Sequence, residues 1–336
     1  MDPVTHGLAG AVIAKAGFSR SLGKWGTITG IIVALSPDSD FILRLFGQDV
    51  FLRYHRGITH SLILLPLYSL LLACIFQRIS KVKNFFYFYL LCFLSLLSHV
   101  LMDLVTSFGT MALSPLSDQR LAWDIIFIID PYFTAILLIP FLLTYLFKRY
   151  NRQLGVISIS ILVPDIALCI YSHNKAVSMA YREASEGGLA PHVVAALPQP
   201  LSPFKWVLLI DTGDTLYQRF TDINNRDNSS QGMNGIMWEK WPDSPWIDKA
   251  LTLPGVEFYM WFARFPVAVV KDMADGRHLV EFIDLRFDIL RDRIPFTYRV
   301  EFDNDGAVVL ERFTTVNSLL ENHGRRLLDT YRRLYP

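Results

Sequence analysis

The chain has 336 residues, of which 52% are hydrophobic and 19% are charged, and its mean hydropathy of +0.31 is too high for an ordinary soluble protein of this length. Its 32 basic and 31 acidic residues leave a formal net charge of +1, which gives no reason to expect a nucleic-acid partner. The three cysteines have no C-x-x-C spacing, so neither a disulfide framework nor a thiolate metal site is predicted.

Apolar runs dominate the first half of the chain. Two short runs come first, and they are followed by three runs long enough for a hydrocarbon core of ~30 Å. A last, slightly shorter run contains Pro164 and Asp165. In chain order the six runs are residues 4–17, 26–35, 57–76, 85–105, 125–147 and 154–172. We therefore predict a polytopic α-helical membrane domain of about four to six membrane segments over residues 1–172.

The connections between these runs alternate in charge. Basic residues cluster after the first, third and fifth runs, and they are sparser in the intervening segments. By the positive-inside rule the basic connections are cytoplasmic. A multi-pass protein of the plasma membrane is therefore expected, with both chain ends and the segments that contain Asp38, His55 and Asp118 on the outer face.

The composition changes after residue 172. Residues 173–203 contain "LPQPLSPF" and are predicted to be a linker. Residues 204–336 are predicted to form a small soluble β-rich (α+β) domain, with strands from Lys205, Val256 and His278 and a hairpin turn at "DNDG". A basic stretch with a helical pattern, residues 318–334, follows.

Eight histidines and aspartates lie at the ends of apolar runs. Because successive helices alternate in direction, we expect all eight to lie towards the same membrane face. They are His6, Asp38, Asp40, His55, His60, His99, Asp103 and Asp130.

This set of residue types is typical of a metal site. His99 and Asp103 are four residues apart, so on a helix both can reach one ion. Asp38 and Asp40 would repel each other unless a cation lay between them. Mixed imidazole and carboxylate ligands suit Zn²⁺, Mn²⁺ or Fe²⁺ better than Ca²⁺, and eight ligands are enough for two ions that together activate a water molecule.

Ordinary structural roles compete with this hypothesis at several positions. For Asp124 we favour a helix N-cap, whereas Asp130, deeper in an apolar run, is as good a candidate for metal ligation as for any structural role. Arg56 either extends its charged group to the membrane interface or holds an anionic group of a substrate. Asp165 either lines a polar cavity or marks a helix interrupted at Pro164.

The ordered set "DPVTHGLAG", "SPDSD", "HRGITHS", "SHVLMDLVTSFGT" and "IIDP" resembles the YdjM family of bacterial inner-membrane proteins, described as metal-dependent hydrolases. The motifs cover about residues 1–150, and the linker and β-rich tail are similar to those of longer members. The resemblance implies an inner-membrane location and metal binding by the residues that match these motifs. Those residues are His6, Asp38, His55, His60, His99 and Asp103, with Asp40 and Asp130 in addition.

The expected function is metal-dependent hydrolysis at the membrane surface. A metal-activated water would attack an ester or phosphoester of an amphiphilic or lipid-linked substrate, Arg56 would orient an anionic group, and membrane lipids are the expected partners. The alternative is a non-enzymatic metal-binding membrane protein, either a transporter or a sensor. A transport path should continue polar groups through the membrane, and only Asp165 suggests one.

Overall fold

The computed structural model describes residues 1–224, 235–288 and 294–316. The chain divides into two compact units. The first comprises Met1–Ala176, Ala196–Trp206 and Asp222–Asn224, and the second comprises Val177–Ala195, Val207–Thr221 and the described part of Asn225–Pro336. The division predicted at residues 172 and 204 stays a prediction, and the basic stretch 318–334 lies outside the described residues.

The described part of the first half of the chain is helical. Short 3₁₀ segments, Ser36–Phe46 and Ile58–His60, flank the fourth α-helix. The α-helices are α1 (Pro3–Ile13), α2 (Ser19–Leu22), α3 (Lys24–Leu35), α4 (Gln48–Tyr54), α5 (Leu65–Ser80), α6 (Phe85–Leu104), α7 (Pro131–Leu146) and α8 (Asn151–Glu186).

Two helices among the described residues are long and apolar enough to cross a membrane: α6 and the continuous stretch Lys148–Glu186. A third span results if the segments Gln48–His60 and Leu65–Ser80, bent by 78° relative to each other, form one broken span. The predicted count of four to six membrane segments is therefore not confirmed. The multi-pass arrangement and the sidedness of the chain ends stay predictions.

The run at residues 125–147 shows why the predicted count was higher. Its helix α7 begins only at Pro131, because the Asp130 side chain caps it by accepting hydrogen bonds from the backbone N–H groups of Tyr132 and Phe133. The 16 residues of α7 span about 24 Å, less than a hydrocarbon core of ~30 Å. The N-cap predicted at Asp124 is wrong, since no helix starts there.

A close crossing of two helices, α1 and α3, organises the first unit. A Cβ atom on Gly10 would lie 2.0 Å from the carbonyl oxygen of Gly30, and a Cβ on Gly30 would lie 2.3 Å from that of Gly10. The two backbones are therefore in direct contact, which only glycine permits. This crossing allows both helices to pack against α6 at the same time.

The β-strands form two four-stranded sheets. The first has the order β1 (Val193–Pro198), β2 (Lys205–Asp211), β3 (Thr215–Asp222) and β4 (Ile236–Glu239). The second has the order β5 (Pro266–Asp272), β6 (His278–Asp284), β7 (Ile294–Phe302) and β8 (Val308–Val316), with antiparallel neighbours.

The hairpin predicted at "DNDG" connects β7 and β8, and Gly306 adopts a φ of 82° there.

Glu281 and Arg299 face each other across β6 and β7 and form an ion pair at 2.5 Å. Burial raises the pKa of Glu281 above its usual value, although the guanidinium opposes the shift. A separate β-rich region is thus present in the C-terminal part of the chain.

The strand predicted from Val256 is wrong. That sequence forms helix α10 (Pro254–Phe262), which follows the short helix α9 (Pro245–Leu251). Its buried residues Val256, Tyr259 and Phe262 are three apart, as one face of a helix requires. Pro254 at the first position favours a helix start rather than a strand.

We expect Gly10→Ala to lower the free energy of unfolding by about 3 kcal/mol, because the methyl group would overlap the Gly30 backbone. Thermal unfolding of the full chain in detergent measures the change. Gly17→Ala is the matched control, since a Cβ there has no atom within 4 Å, and it should leave the midpoint unchanged or raise it slightly. Equal midpoints for the two variants would contradict the close crossing.

Candidate metal centre

Five chain segments bring polar side chains together in the first unit. α1 contributes His6, and the 3₁₀ segment Ser36–Phe46 contributes Asp38 and Asp40. The turn after α4 contributes His55, and the 3₁₀ segment Ile58–His60 contributes His60. The last turns of α6 contribute His99 and Asp103. Seven of the eight predicted ligands therefore lie in one cluster; their binding of metal stays a prediction.

Asp103 lies at the centre of this cluster and is fully buried. Its Oδ1 atom is 2.8 Å from Arg56 Nη2 and 3.2 Å from His6 Nε2, and it also contacts the backbone nitrogen of Met1. Its Oδ2 atom has no hydrogen-bond partner among the described residues. A buried carboxylate oxygen without a partner is costly, so Oδ2 is available to a cation.

The orientation of His99 and His60 is set by the nitrogen atoms that face away from Asp103. His99 Nδ1 lies 2.6 Å from the carbonyl oxygen of Ala34, which can only accept, so Nδ1 carries the proton. His60 Nδ1 lies 2.9 Å from Thr59 Oγ1, whose own proton goes to Asp40 at 2.9 Å. In the neutral rings, both Nε2 atoms therefore carry lone pairs.

These two lone pairs point towards each other and towards two carboxylates. The Nε2 atoms of His60 and His99 are 3.0 Å apart, and they lie 3.2 and 3.5 Å from Asp103 Oδ2. Asp38 Oδ1 is 3.7 Å from both. Four acceptors at such distances repel one another unless a cation, either an added proton or a metal ion, lies among them.

The spacing fits a transition-metal ion. Neighbouring ligands of a tetrahedral zinc ion are about 3.3 Å apart, given metal–ligand bonds of ~2.0–2.1 Å. The distances of 3.0 to 3.7 Å in this cluster bracket that value. Asp38, His60, His99 and Asp103 therefore form a group that could hold one divalent ion.

A second group consists of Asp38, Asp40 and His55. Here the Asp40 carboxylate is already engaged, because it lies 2.8 Å from His55 Nδ1 and accepts from the Arg56 backbone N–H at 3.0 Å. Burial alone would raise the pKa of Asp38 and Asp40, but hydrogen bonds with neighbouring histidines lower both, that of Asp38 to about 2. Asp40 is thus an ionised acceptor that orients His55.

Arg56 is only 3% exposed and lies inside the cluster, so the alternative in which it extends to the membrane interface is wrong. Its Nη2 atom pairs with Asp103, and its Nη1 atom donates to Thr106 Oγ1 at 3.2 Å. Its Nε atom has no hydrogen-bond partner among the described residues. The Nε–H group is thus available to an anionic group.

Asp130 is the eighth predicted ligand, and the structure does not bring it into either group. Its side chain caps α7. It shares a cavity with Asp165 in the same unit.

Sequence reasoning assigned no role to several residues that hold the cluster in place. Thr59 and Thr106 bind the side chains of His60 and Arg56, and Phe108 lies under the Arg56 guanidinium at 5.0 Å. Arg120 donates to the carbonyl oxygen of His55 at 3.1 Å. In the sequence, the "TSFGT" segment that follows Asp103 could have indicated that Thr106 and Phe108 lie at the site.

Helices long and apolar enough to cross a membrane, in a chain with buried histidines and aspartates that could bind a metal ion, are typical of a helical membrane protein with a polar site. Within that class the chain belongs to the YdjM inner membrane protein family, whose sequence model matches residues 1–176. The resemblance noted from the motifs is thereby confirmed.

Two relatives illustrate how far the similarity extends. The uncharacterized protein YfhP of Bacillus subtilis (strain 168) is 31% identical over 139 residues, which are 39% of this chain and 42% of YfhP. The inner membrane protein YbcI of Escherichia coli (strain K12) is 34% identical over 130 residues, which are 37% of this chain and 73% of YbcI. The chain thus spans less than half of YfhP. No solved structure matches this chain.

We expect the full chain purified in detergent to contain a stoichiometric transition metal, and the double variant His60→Ala/His99→Ala to lose it. The reason is that both substitutions remove lone pairs that converge on Asp103. Elemental analysis by mass spectrometry measures the metal content. His192→Ala, which changes a histidine outside both groups, should retain it. Absence of metal from the unmodified chain would contradict the prediction, because a proton would then be the cation that lies among the four acceptor atoms.

Proposed function

We propose that the chain is a membrane-embedded metal-dependent hydrolase that acts on an ester or phosphoester of an amphiphilic or lipid-linked substrate. The observation that supports this function is the convergence of four acceptor atoms, from Asp38, His60, His99 and Asp103, at distances that suit a divalent ion. When bound, Zn²⁺, Mn²⁺ or Fe²⁺ supplies Lewis acidity that activates water for attack on such a bond.

The residues around the four acceptors have distinct roles in this proposal. Asp40 and Thr59 fix the rings of His55 and His60, so that their other nitrogen atoms remain free to bind. Arg56, already neutralising Asp103, offers its Nε–H to an anionic oxygen of the substrate. A second ion would bind at the group of Asp38, Asp40 and His55 only in place of the hydrogen bond between His55 and Asp40, with Asp38 shared between the two groups.

The substrate reaches the cluster at Asp38, the most exposed of the four acceptors, whose side chain is 11% accessible. The 3₁₀ segment that carries Asp38 also exposes apolar side chains: Ile42 is 62% exposed, Leu45 82% and Phe46 70%. Three large apolar residues exposed beside a polar site favour contact with lipid. This supports a substrate with an apolar part, and it supports membrane lipids as the partner of this segment.

We expect the metal-loaded chain in phosphatidylcholine nanodiscs to hydrolyse p-nitrophenyl esters or phosphoesters, with long-chain substrates preferred over short-chain ones. His99→Ala should abolish turnover, because it removes one of the four acceptors, whereas His192→Ala should retain it. Release of p-nitrophenol, followed by absorbance with Mn²⁺ or Zn²⁺ present, measures the rate. Metal binding without turnover of any tested substrate would contradict the proposed activity.

The alternative function is a non-enzymatic one in which the ion is cargo or signal. It is favoured by the burial of His60, His99 and Asp103, each of which is fully inaccessible to solvent. Movement of Mn²⁺ or Zn²⁺ into liposomes that contain the chain, without hydrolysis, would support a transporter.

A nitroxide label tests whether the exposed apolar side chains contact lipid. Labelled at Phe46→Cys in a Cys74→Ser background, the chain in nanodiscs should show high accessibility to oxygen and low accessibility to a water-soluble nickel chelate, because Phe46 would lie among acyl chains. Electron paramagnetic resonance power saturation measures both. Asp49→Cys, at an exposed polar position three residues away, is the control and should show the reverse. Equal nickel accessibility at the two positions would contradict lipid contact.

A further inference from the structure

A cavity of about 670 Å³ lies in the first unit, apart from the His and Asp cluster. One face of α7, including Ile136 and Ile139, forms one wall, and one face of α8, including Ile161 and Leu168, forms another. Residues 201–204 close its side, where the Tyr132 hydroxyl donates to the carbonyl oxygen of Leu201 at 3.5 Å. The volume is in the range of pockets that bind small molecules.

The walls of the cavity are held apart by the fold. Along α7 the lining extends from residue 132 to residue 140, about 12 Å of helix. Ser158 of α8 donates to the carbonyl oxygen of Ile136 at 2.8 Å and joins the two helices beside the cavity. Long isoleucine and leucine side chains line the space without filling it, so an apolar body of matching length can enter.

Two carboxylates, Asp130 and Asp165, also line this cavity. Asp130 uses its Oδ1 atom to cap α7, which leaves its other oxygen available. Asp165 lies in the apolar part of α8, and none of the residues that line the cavity is basic. A carboxylate within an apolar stretch of helix is costly when it has no partner.

We propose that this cavity binds an amphiphilic cation, a molecule with an apolar body and an amine or ammonium group. The apolar body lies between α7 and α8. The cationic group lies between Asp130 and Asp165, where its positive charge balances the two carboxylates. The two aspartates are the acidic residues in the lining of a mostly apolar pocket, and an apolar pocket with a few polar groups suits a molecule of this kind. The site is independent of the metal centre and of the proposed hydrolysis.

The test uses monodansylcadaverine, a fluorescent amine with an apolar ring system, and its N-acetylated form, which has nearly the same body without the charge. The full chain is placed in nanodiscs of zwitterionic phosphatidylcholine, and fluorescence titration is corrected with empty nanodiscs. We expect the amine to bind about tenfold more tightly than the acetylated form, which corresponds to ~1.4 kcal/mol. Asp130→Asn/Asp165→Asn should abolish this difference.

Two further variants separate recognition from folding. Asparagine keeps the shape of both side chains and remains a good N-cap for α7, so the double variant should retain its metal content. Ile139→Trp, which fills the cavity, should weaken binding of both probes. Equal binding of the two probes to the unmodified chain, or a preference for the amine that persists in the double variant, would overturn the proposal. Absence of binding above that of empty nanodiscs would also overturn it.

Discussion

The buried carboxylate of Asp103 is the constraint on which the helical unit depends. A negative charge inside a protein must be neutralised by partners brought from elsewhere in the chain, because water cannot reach it. Arg56 provides a guanidinium at 2.8 Å, and His6 provides an imidazole at 3.2 Å. The Nε2 atoms of His60 and His99 approach the other oxygen, which has no hydrogen-bond partner among the described residues and is left for a cation. Arg56 and His6 come from two other elements, so the position of Asp103 on α6 determines where α1 and the turn after α4 meet this helix.

The glycine crossing and the polar cluster are parts of one arrangement. Because α1 and α3 touch at Gly10 and Gly30, both helices can approach α6 closely. His6 on α1 then stacks on His99 with ring centroids 3.7 Å apart, and Ala34 on α3 offers its carbonyl oxygen to the same ring. Small residues at a helix contact thus position chemically active groups about one or two turns away.

Sequence reasoning succeeded where residue type and spacing carry the information. The i, i+4 spacing of His99 and Asp103 predicted that both face one point, and the "DNDG" signature predicted the hairpin between β7 and β8. The motif set also predicted the family, which the match to residues 1–176 confirms.

Sequence reasoning failed where a helix cap or a backbone carbonyl group decides the structure, and where one segment fits both a strand pattern and a helical pattern. Asp130 caps a helix, and hydropathy cannot detect that a cap shortens an apolar run below the length of a span. The residues after Val256 satisfy a strand pattern and a helical one at once, and Pro254 decides between them. The carbonyl oxygen of Ala34, which orients His99, has no signature in the sequence because every residue has one.

The long sequence separations within the cluster mean that it cannot form until most of its segments have been synthesised. His99 binds a carbonyl group 65 residues earlier in the chain, and Arg56 donates to a threonine 50 residues later. During synthesis, His6, Asp40 and His60 therefore emerge well before the carboxylate that holds them together. The entropy lost on closing a loop grows only slowly with its length, so these long separations lower the stability of the cluster little more than shorter ones would. The cluster therefore forms only after α6 has been made, whereas α7 and the other later segments of this unit are still to be added.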